Sequence, residues 1–251
     1  MAGLRDFLEH GYGLARSAAI YHANPLKRRR ARAFYRQFVP AGGLCFDIGA
    51  HLGDRTGHFR ALGARVVAAE PQPGPLAVLR RLYGRDPGVV LVDAALGAAA
   101  GEAELAIDPR NPTVASLSPA WRRQVGASAG FAGTRWREHR RVRVTTLDAL
   151  IAAHGVPDFC KIDVEGFEAE VLAGLSQALP AISFEYIAAA REAALAALAR
   201  LAALGDYRFN RSPGESMRFP LPGWRSATAM ARELEGLPPE SGSGDVYARL
   251  P

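Results

Sequence analysis

Only two cysteines, Cys45 and Cys160, occur in the 251 residues. Two cysteines cannot build a disulfide scaffold, and theirs is not a metal-ligand spacing. Each sits in an apolar stretch and reads as a core thiol. Nothing resembles a Cys/His cluster, and a metal held by acidic residues alone is the lesser alternative. No apolar run reaches the roughly 18 residues needed to span a bilayer. Residues 1–10 lack the basic start, apolar core and cleavage site of a signal peptide, so a cytoplasmic protein is expected. No internal period repeats, which excludes a solenoid. Lysine is scarce too: Lys27 and Lys161 are the two in the chain.

What is present suits a globular enzyme-sized chain. Hydrophobic residues make up 49%, well above the range of disordered sequences. The net charge of +6 is carried largely by arginine, concentrated in Lys27-Arg28-Arg29-Arg30-Ala31-Arg32 and in residues 135–143. Such runs read as a solvated helix face plus a basic loop, or as contacts to an acidic substrate such as a nucleotide-linked sugar or phosphorylated glycan. No aromatic stacking pattern accompanies them, so nucleic acid is the weaker reading.

Residues 1–40 read as an N-terminal helical extension and 41–251 as the main domain. Short apolar runs at 44–48, 64–69, 89–92, 159–163 and 181–186 alternate with helical spacing at 56–62, 75–83, 167–175 and 188–204. That alternation predicts an α/β, doubly wound, mostly parallel sheet of Rossmann-like type. Residues 207–209 and 245–248 are strand-like and could pair as a hairpin at the sheet edge. The middle segment breaks the repeat. Residues 102–107 and 141–144 alternate like exposed strands. Between them a polar insert, about 108–140, contains Trp121, Phe131 and Trp136. A long loop inside a compact domain is usually functional or mobile, which predicts a substrate-shaping lid rather than core.

Asp47-Ile48-Gly49-Ala50-His51-Leu52-Gly53-Asp54-Arg55-Thr56 joins the first strand to the first helix. Glycines there let the backbone turn sharply and approach a ligand. Glu70 ends the second strand, where an acid can accept from both ribose hydroxyls, and Asp93 ends the third, within reach of an adenine edge. Together they predict a nucleoside crevice. The spacing is Gly49-x-x-x-Gly53 rather than the dinucleotide pattern, and Asp47 would repel a pyrophosphate but attract an ammonium. S-adenosylmethionine is therefore favoured over a nicotinamide cofactor.

Asp163, Glu165 and Glu185 end or follow the fourth and fifth strands. Three acids at adjacent strand ends raise at least one pKa, so one base plus groups orienting the cofactor amine or substrate hydroxyls is expected, with Asp163 the foremost base. The competing reading makes Asp163 and Glu165 helix caps paired with Lys161 or an arginine. Lys161 shares a strand face with Asp163 and should form an ion pair with a neighbouring carboxylate. Asp148 reads as a first-turn acid and cap. His139 and His154 read as exposed polar residues.

These motifs, with Glu70-Pro71, Ala94-Ala95-Leu96-Gly97, Ser116-Leu117, Thr146-Leu147-Asp148, Lys161-Ile162-Asp163-Val164-Glu165-Gly166-Phe167-Glu168, Val171-Leu172-Ala173-Gly174 and Phe184-Glu185, resemble the FkbM-type S-adenosylmethionine-dependent methyltransferases. The likeness runs from about residue 43 to 186, and more loosely to the C-terminus, and the first 40 residues carry no mark of it. It implies a Rossmann-like class I methyltransferase domain with S-adenosyl-L-methionine as methyl donor. It also implies hydroxyl acceptors on sugars, lipid-linked glycans or secondary metabolites. Carried onto this chain, the cofactor contacts would be Asp47, Gly49, Ala50, His51, Gly53 and Thr56 of the first motif. Glu70, Asp93, Ala94 and Asp163 would complete them. The family usually has Asn where this chain has His51. Three other readings remain: a nucleic-acid-directed methyltransferase, a non-catalytic cofactor-binding module, and a nicotinamide enzyme.

Overall fold

The computed structural model describes residues 25–126, 128 and 131–251. Four of the apolar runs form interior strands of a seven-stranded sheet because their backbone donors are paired on both sides and their side chains are buried on both faces, while the fifth, at 89–92, is an edge strand and only partly buried. Strands β1 (Leu44–Ile48), β2 (Arg65–Ala69), β3 (Val89–Val92), β7 (Phe159–Ile162) and β8 (Ala181–Ile187) run parallel. With β9 (Arg208–Pro213) at one edge and β10 (Ser243–Arg249) beside it, the order across the sheet is β3-β2-β1-β7-β8-β10-β9. It reverses between β1 and β7, which places a ligand crevice beyond the carboxyl ends of those two strands. The sheet is the α/β, doubly wound, mostly parallel kind.

Helices α2 (Asp54–Ala61), α3 (Pro73–Tyr83), α5 (Leu147–His154), α6 (Glu168–Ala173) and α7 (Glu192–Leu204) connect the strands. One face of the sheet buries Phe46, Ile162, Phe184 and Leu198. The other buries Cys45, Phe59, Phe159 and Tyr247. Both cysteines are buried and free. Helix α1 (Pro25–Tyr35) and the turn after it supply Phe34, Tyr35 and Phe38 to that second core. The Phe38 ring stacks on Phe159 at 5.2 Å and on Tyr247 at 5.3 Å. The described part of the expected extension is thus built into the main core; residues 1–24 lie outside the described residues. Among the described residues no helix is long and apolar enough to cross a membrane.

β9 (Arg208–Pro213) and β10 (Ser243–Arg249) pair antiparallel at the sheet edge, as expected, and β10 continues antiparallel onto β8. The segment between them carries α8 (Ala227–Glu235), which buries Met230 and Leu234. The two alternating strands of the middle segment are β5 (Gly101–Ile107) and β6 (Glu138–Thr145). They pair with each other antiparallel, and β6 also takes β4 (Ala95–Leu96) on its far side. Charged pairs such as Arg141–Glu102 cover their outer face at 2.8 Å.

The insert departs from the expectation of a lid without core. Its helix α4 (Pro119–Gly126) buries Trp121 and Val125 against Ile187 and Ala190 at the end of β8. Trp121 is 2% exposed, because a large apolar indole gains most by leaving water. Phe131 and Trp136 pack edge-on to it at 5.5 and 6.3 Å.

Candidate active site

The turn after β1 is shaped by backbone conformations that suit glycine. Gly49 has φ 80°, and a Cβ there would lie 1.8 Å from the Asp163 carbonyl oxygen. Only glycine lets the ends of β1 and β7 approach this closely. Gly49 N and Ala50 N both donate to Ala69 O at 3.0 Å, which folds the turn back onto β2. His51 follows in the left-handed region, φ 47°. Its backbone N–H donates to Glu70 Oε2 at 2.8 Å, while Gln72 N donates to Glu70 Oε1 at 2.8 Å. Glu70 is buried, and burial pushes its carboxyl up to about 7 against the pull of those two N–H groups.

Gly49, His51, Glu70, Ala94 and Asp163 share a solvent-open cavity enclosing about 550 Å³. Its apolar wall comes from Ile48, Leu96 and Leu105, and its outer wall from Thr113, Ala115 and Leu117 of the insert. Each Glu70 oxygen keeps a lone pair beyond its backbone donor, so both can accept from a diol.

Four other expected contacts stand behind this wall. Asp47 is buried and accepts a 2.5 Å hydrogen bond from Thr56 Oγ1; burial pushes its carboxyl up to about 6. Neither residue lines the cavity, and neither do Ala50 and Gly53. Gly53, with φ 78°, fits the turn against Leu79 and Tyr83. These four shape the turn rather than the cavity surface. Asp93 is not brought in either: it is 57% exposed, beside Arg80 Nη2 at 3.1 Å. Solvent and arginine already satisfy it, and its neighbour Ala94 is the residue that lines the cavity.

The acid cluster does assemble. Carboxylate oxygens of Asp163, Glu165 and Glu185 lie within 4.8 Å of one another, a spacing at which they could also hold a divalent cation. Lys161 lies beneath them, fully buried, with Nζ 3.0 Å from Asp163 Oδ2 and 3.0 Å from Asp245 Oδ1. The ion pair expected for Lys161 is present. Its second partner, Asp245, carried no sequence signal beyond lying in a strand. Register supplies it: Asp245 sits opposite Glu185 across the β8–β10 ladder.

This arrangement splits the acids. Burial opposes the charged form of both Lys161 and Asp163, but their mutual attraction outweighs it. Lys161 is held protonated and Asp163 is held below the usual carboxylate range. Glu165 is pushed well above that range by burial, then by Asp163 and Glu168. Glu185 is pushed up likewise by burial, then by Glu165, Asp163 and Glu168. Two groups in one cluster therefore favour the proton while the third stays ionised.

The insert holds the turn that presents Glu165. Glu165 adopts φ 53°, and its carbonyl accepts from Ser116 Oγ at 2.6 Å. At Gly166, φ 85°, a Cβ would meet Trp121 Cγ at 2.1 Å. Glu168 is buried; its Oε1 accepts from Val164 N and Gly166 N, each at 3.2 Å. Asp148 is not the cap of α5: Thr146 Oγ1 accepts from Ala149 N, and Asp148 Oδ1 accepts from Ser176 N at 3.0 Å. His139 is exposed and paired with Glu104.

The family model for the methyltransferase FkbM domain matches residues 47–205. No curated protein sequence matches significantly. Among solved structures, the chain is similar to a TehB-like SAM-dependent methyltransferase from Corynebacterium glutamicum, at 12% identity over 94% of each chain and a TM-score of 0.49. It is also similar to an O-methyltransferase from Bacillus cereus in complex with SAH, at 13% identity over 98% of this chain and 90% of that one, TM-score 0.46. A precorrin-6y C5,15-methyltransferase from Geobacter metallireducens gives 14% identity, 88% and 85% coverage, and a TM-score of 0.46.

Proposed function

The chain belongs to the FkbM family of S-adenosylmethionine-dependent methyltransferases, and from that premise we propose that it methylates a hydroxyl of a sugar, glycan or secondary metabolite. S-adenosylmethionine supplies an electrophilic methyl group on a sulfonium. The residues fit that donor: Glu70 offers two fixed carboxylate oxygens to a ribose diol, Leu96 and Leu105 offer an apolar wall to adenine, and Asp163 offers an anion to the methionine ammonium.

The observation that carries the proposal is the unequal acid cluster beside this cavity. Methyl transfer to an alcohol needs the oxygen held near ~3 Å from the methyl carbon and a group to take its proton. Such a base contributes about 10²–10⁴-fold. Asp163, neutralised by Lys161, is a weak base and serves as the cofactor's counter-ion. Glu165 and Glu185 hold one proton between them readily, so their singly ionised form takes the hydroxyl proton. The insert, 108–140, covers the acceptor side and presents Glu165 through Ser116 and Trp121.

Turnover on a panel of hydroxylated acceptors tests this. Glu165→Gln and Glu185→Gln are each expected to lower turnover by about 10²-fold with cofactor affinity little changed. Asp163→Asn should instead weaken the cofactor, with much of the rate recovered at saturation. The wild-type rate should rise with pH through a limb above the usual carboxylate range. In Glu165→Gln the residual limb, now that of Glu185, should move to lower pH, because a like charge is gone. Unchanged turnover in both glutamine variants contradicts the assignment. So does loss of activity in a chelator that magnesium restores, which would make the three acids cation ligands.

A further inference from the structure

A second cavity lies in the insert, on the other side of the segment that walls the cofactor crevice. It encloses about 870 Å³, opens to solvent, and is lined by Arg110, Arg135 and Arg137. Its two walls, residues 108–111 and 132–137, are tied together by one buried carboxylate. Asp108 Oδ1 accepts from Arg110 N at 3.0 Å, and Oδ2 accepts from Arg135 N at 2.7 Å. Both oxygens of Asp108, the only acid lining the cleft among the described residues, are thus committed to backbone donors. Trp136 is turned inward, its Nε1 donating to Val114 O at 2.8 Å, while its neighbours Arg135 and Arg137 line the cleft.

None of the three guanidiniums has a carboxylate partner among the described residues. Arg140 and Arg141, a few positions on, do pair, with Glu138 and Glu102. The cleft therefore sets three guanidiniums against one carboxylate and carries a net positive charge. It also adjoins the active site: Thr113, which lines the cofactor cavity, donates through Oγ1 to Asn111 Oδ1 at 2.7 Å, and Asn111 lines the cleft.

We propose that this cleft is an acceptor subsite for a phosphate or diphosphate group, so that the hydroxyl methylated belongs to a phosphorylated or nucleotide-linked sugar. This rests on the hydroxyl-methylating reading above. Guanidinium forks match phosphate oxygens in geometry and give charge-assisted hydrogen bonds. A single carboxylate would leave most of the three charges unanswered, whereas a diphosphate answers them. A concave cleft gathers the arginines around one anion, unlike the extended stripe that tracks a nucleic-acid backbone.

Calorimetric titration of inorganic pyrophosphate into the full chain saturated with S-adenosylhomocysteine tests the subsite. Saturable binding is expected. Arg135→Gln/Arg137→Gln should weaken it by about tenfold or more. Arg81→Gln/Arg85→Gln, which removes the same charge elsewhere, should leave it unchanged. Equal affinity for S-adenosylhomocysteine in all three proteins serves as the folding control. Absence of saturable binding to the wild type, or equal weakening in both double variants, overturns the subsite and leaves the methyltransferase reading standing. Displacement of pyrophosphate by single-stranded RNA, tightening with oligonucleotide length, overturns it in favour of a nucleic-acid surface. Failure of S-adenosylhomocysteine to bind at all would instead strike the parent reading.

Discussion

Replacing Lys161 by methionine keeps the length and apolar stem of the side chain and removes its charge. Lys161 is fully buried and contacts two carboxylates, each at 3.0 Å. Without it, Asp163 and Asp245 lie near one another with only the weaker attraction of Arg55 as counter-charge. Breaking a buried pair by deleting one partner typically costs about 3–5 kcal/mol. Asp163 is 37% exposed and water screens part of its share, so the lower end of that range is expected. The loss should depend on pH in a defined sense. Lys161 depresses the Asp163 pKa in the folded state, so that contribution to stability is present above the unfolded carboxylate pKa and lost as pH falls through the folded one. In Lys161→Met, Asp163 and Asp245 take up protons at higher pH than in the wild type, which relieves the uncompensated charge. The gap in unfolding free energy, measured by urea denaturation, should be widest near about pH 7.5 and narrower near about pH 5. Adding Asp245→Asn should recover part of the loss at neutral pH. A gap below about 1 kcal/mol, or one that does not change with pH, would refute the reasoning.

Two substitutions probe how the crevice is built. Gly49→Ala places a Cβ into the Asp163 carbonyl at φ 80°, so it should reduce soluble expression or lower the melting temperature well beyond an alanine substitution elsewhere on the surface; a normal melt would contradict the close approach of β1 and β7. Trp121→Ala empties the contact that holds the Glu165–Gly166 turn and should cost about 3–5 kcal/mol of stability, spread over the insert. Its turnover should fall more than its affinity for S-adenosylhomocysteine, and equal loss of both would place Trp121 in general stability alone.

The parallel sheet was legible because β1, β2 and β7 are short apolar runs, each closed by an acid or glycine, and β8 is an apolar run interrupted by Glu185. Glu70 and the acids Asp163, Glu165 and Glu185 were legible for the same reason, since a strand's carboxyl end marks the crevice. What strand-end position cannot convey is where the side chain points. Asp47 occupies such a strand, yet Thr56 draws its carboxylate away from the cavity, and Arg80 meets Asp93 at the surface. Asp245 stayed hidden because its partner, Lys161, is 84 positions away (245 minus 161) and meets it only through the antiparallel register of β10 on β8. The insert misled through its polarity: three aromatic residues spaced without period gave no sign that they pack together on Ile187.

Glu70, Asp163 and the β1 turn are proposed to hold S-adenosylmethionine. Calorimetric titration of S-adenosylhomocysteine into the wild type and Glu70→Ala tests this most directly. The wild type is expected to bind one equivalent at about micromolar affinity, roughly −8 kcal/mol. Glu70→Ala should weaken binding by about 1.5–3 kcal/mol, the range for hydrogen bonds to a charged group. Absence of binding, tighter binding of NAD, or full affinity in Glu70→Ala would contradict the claim.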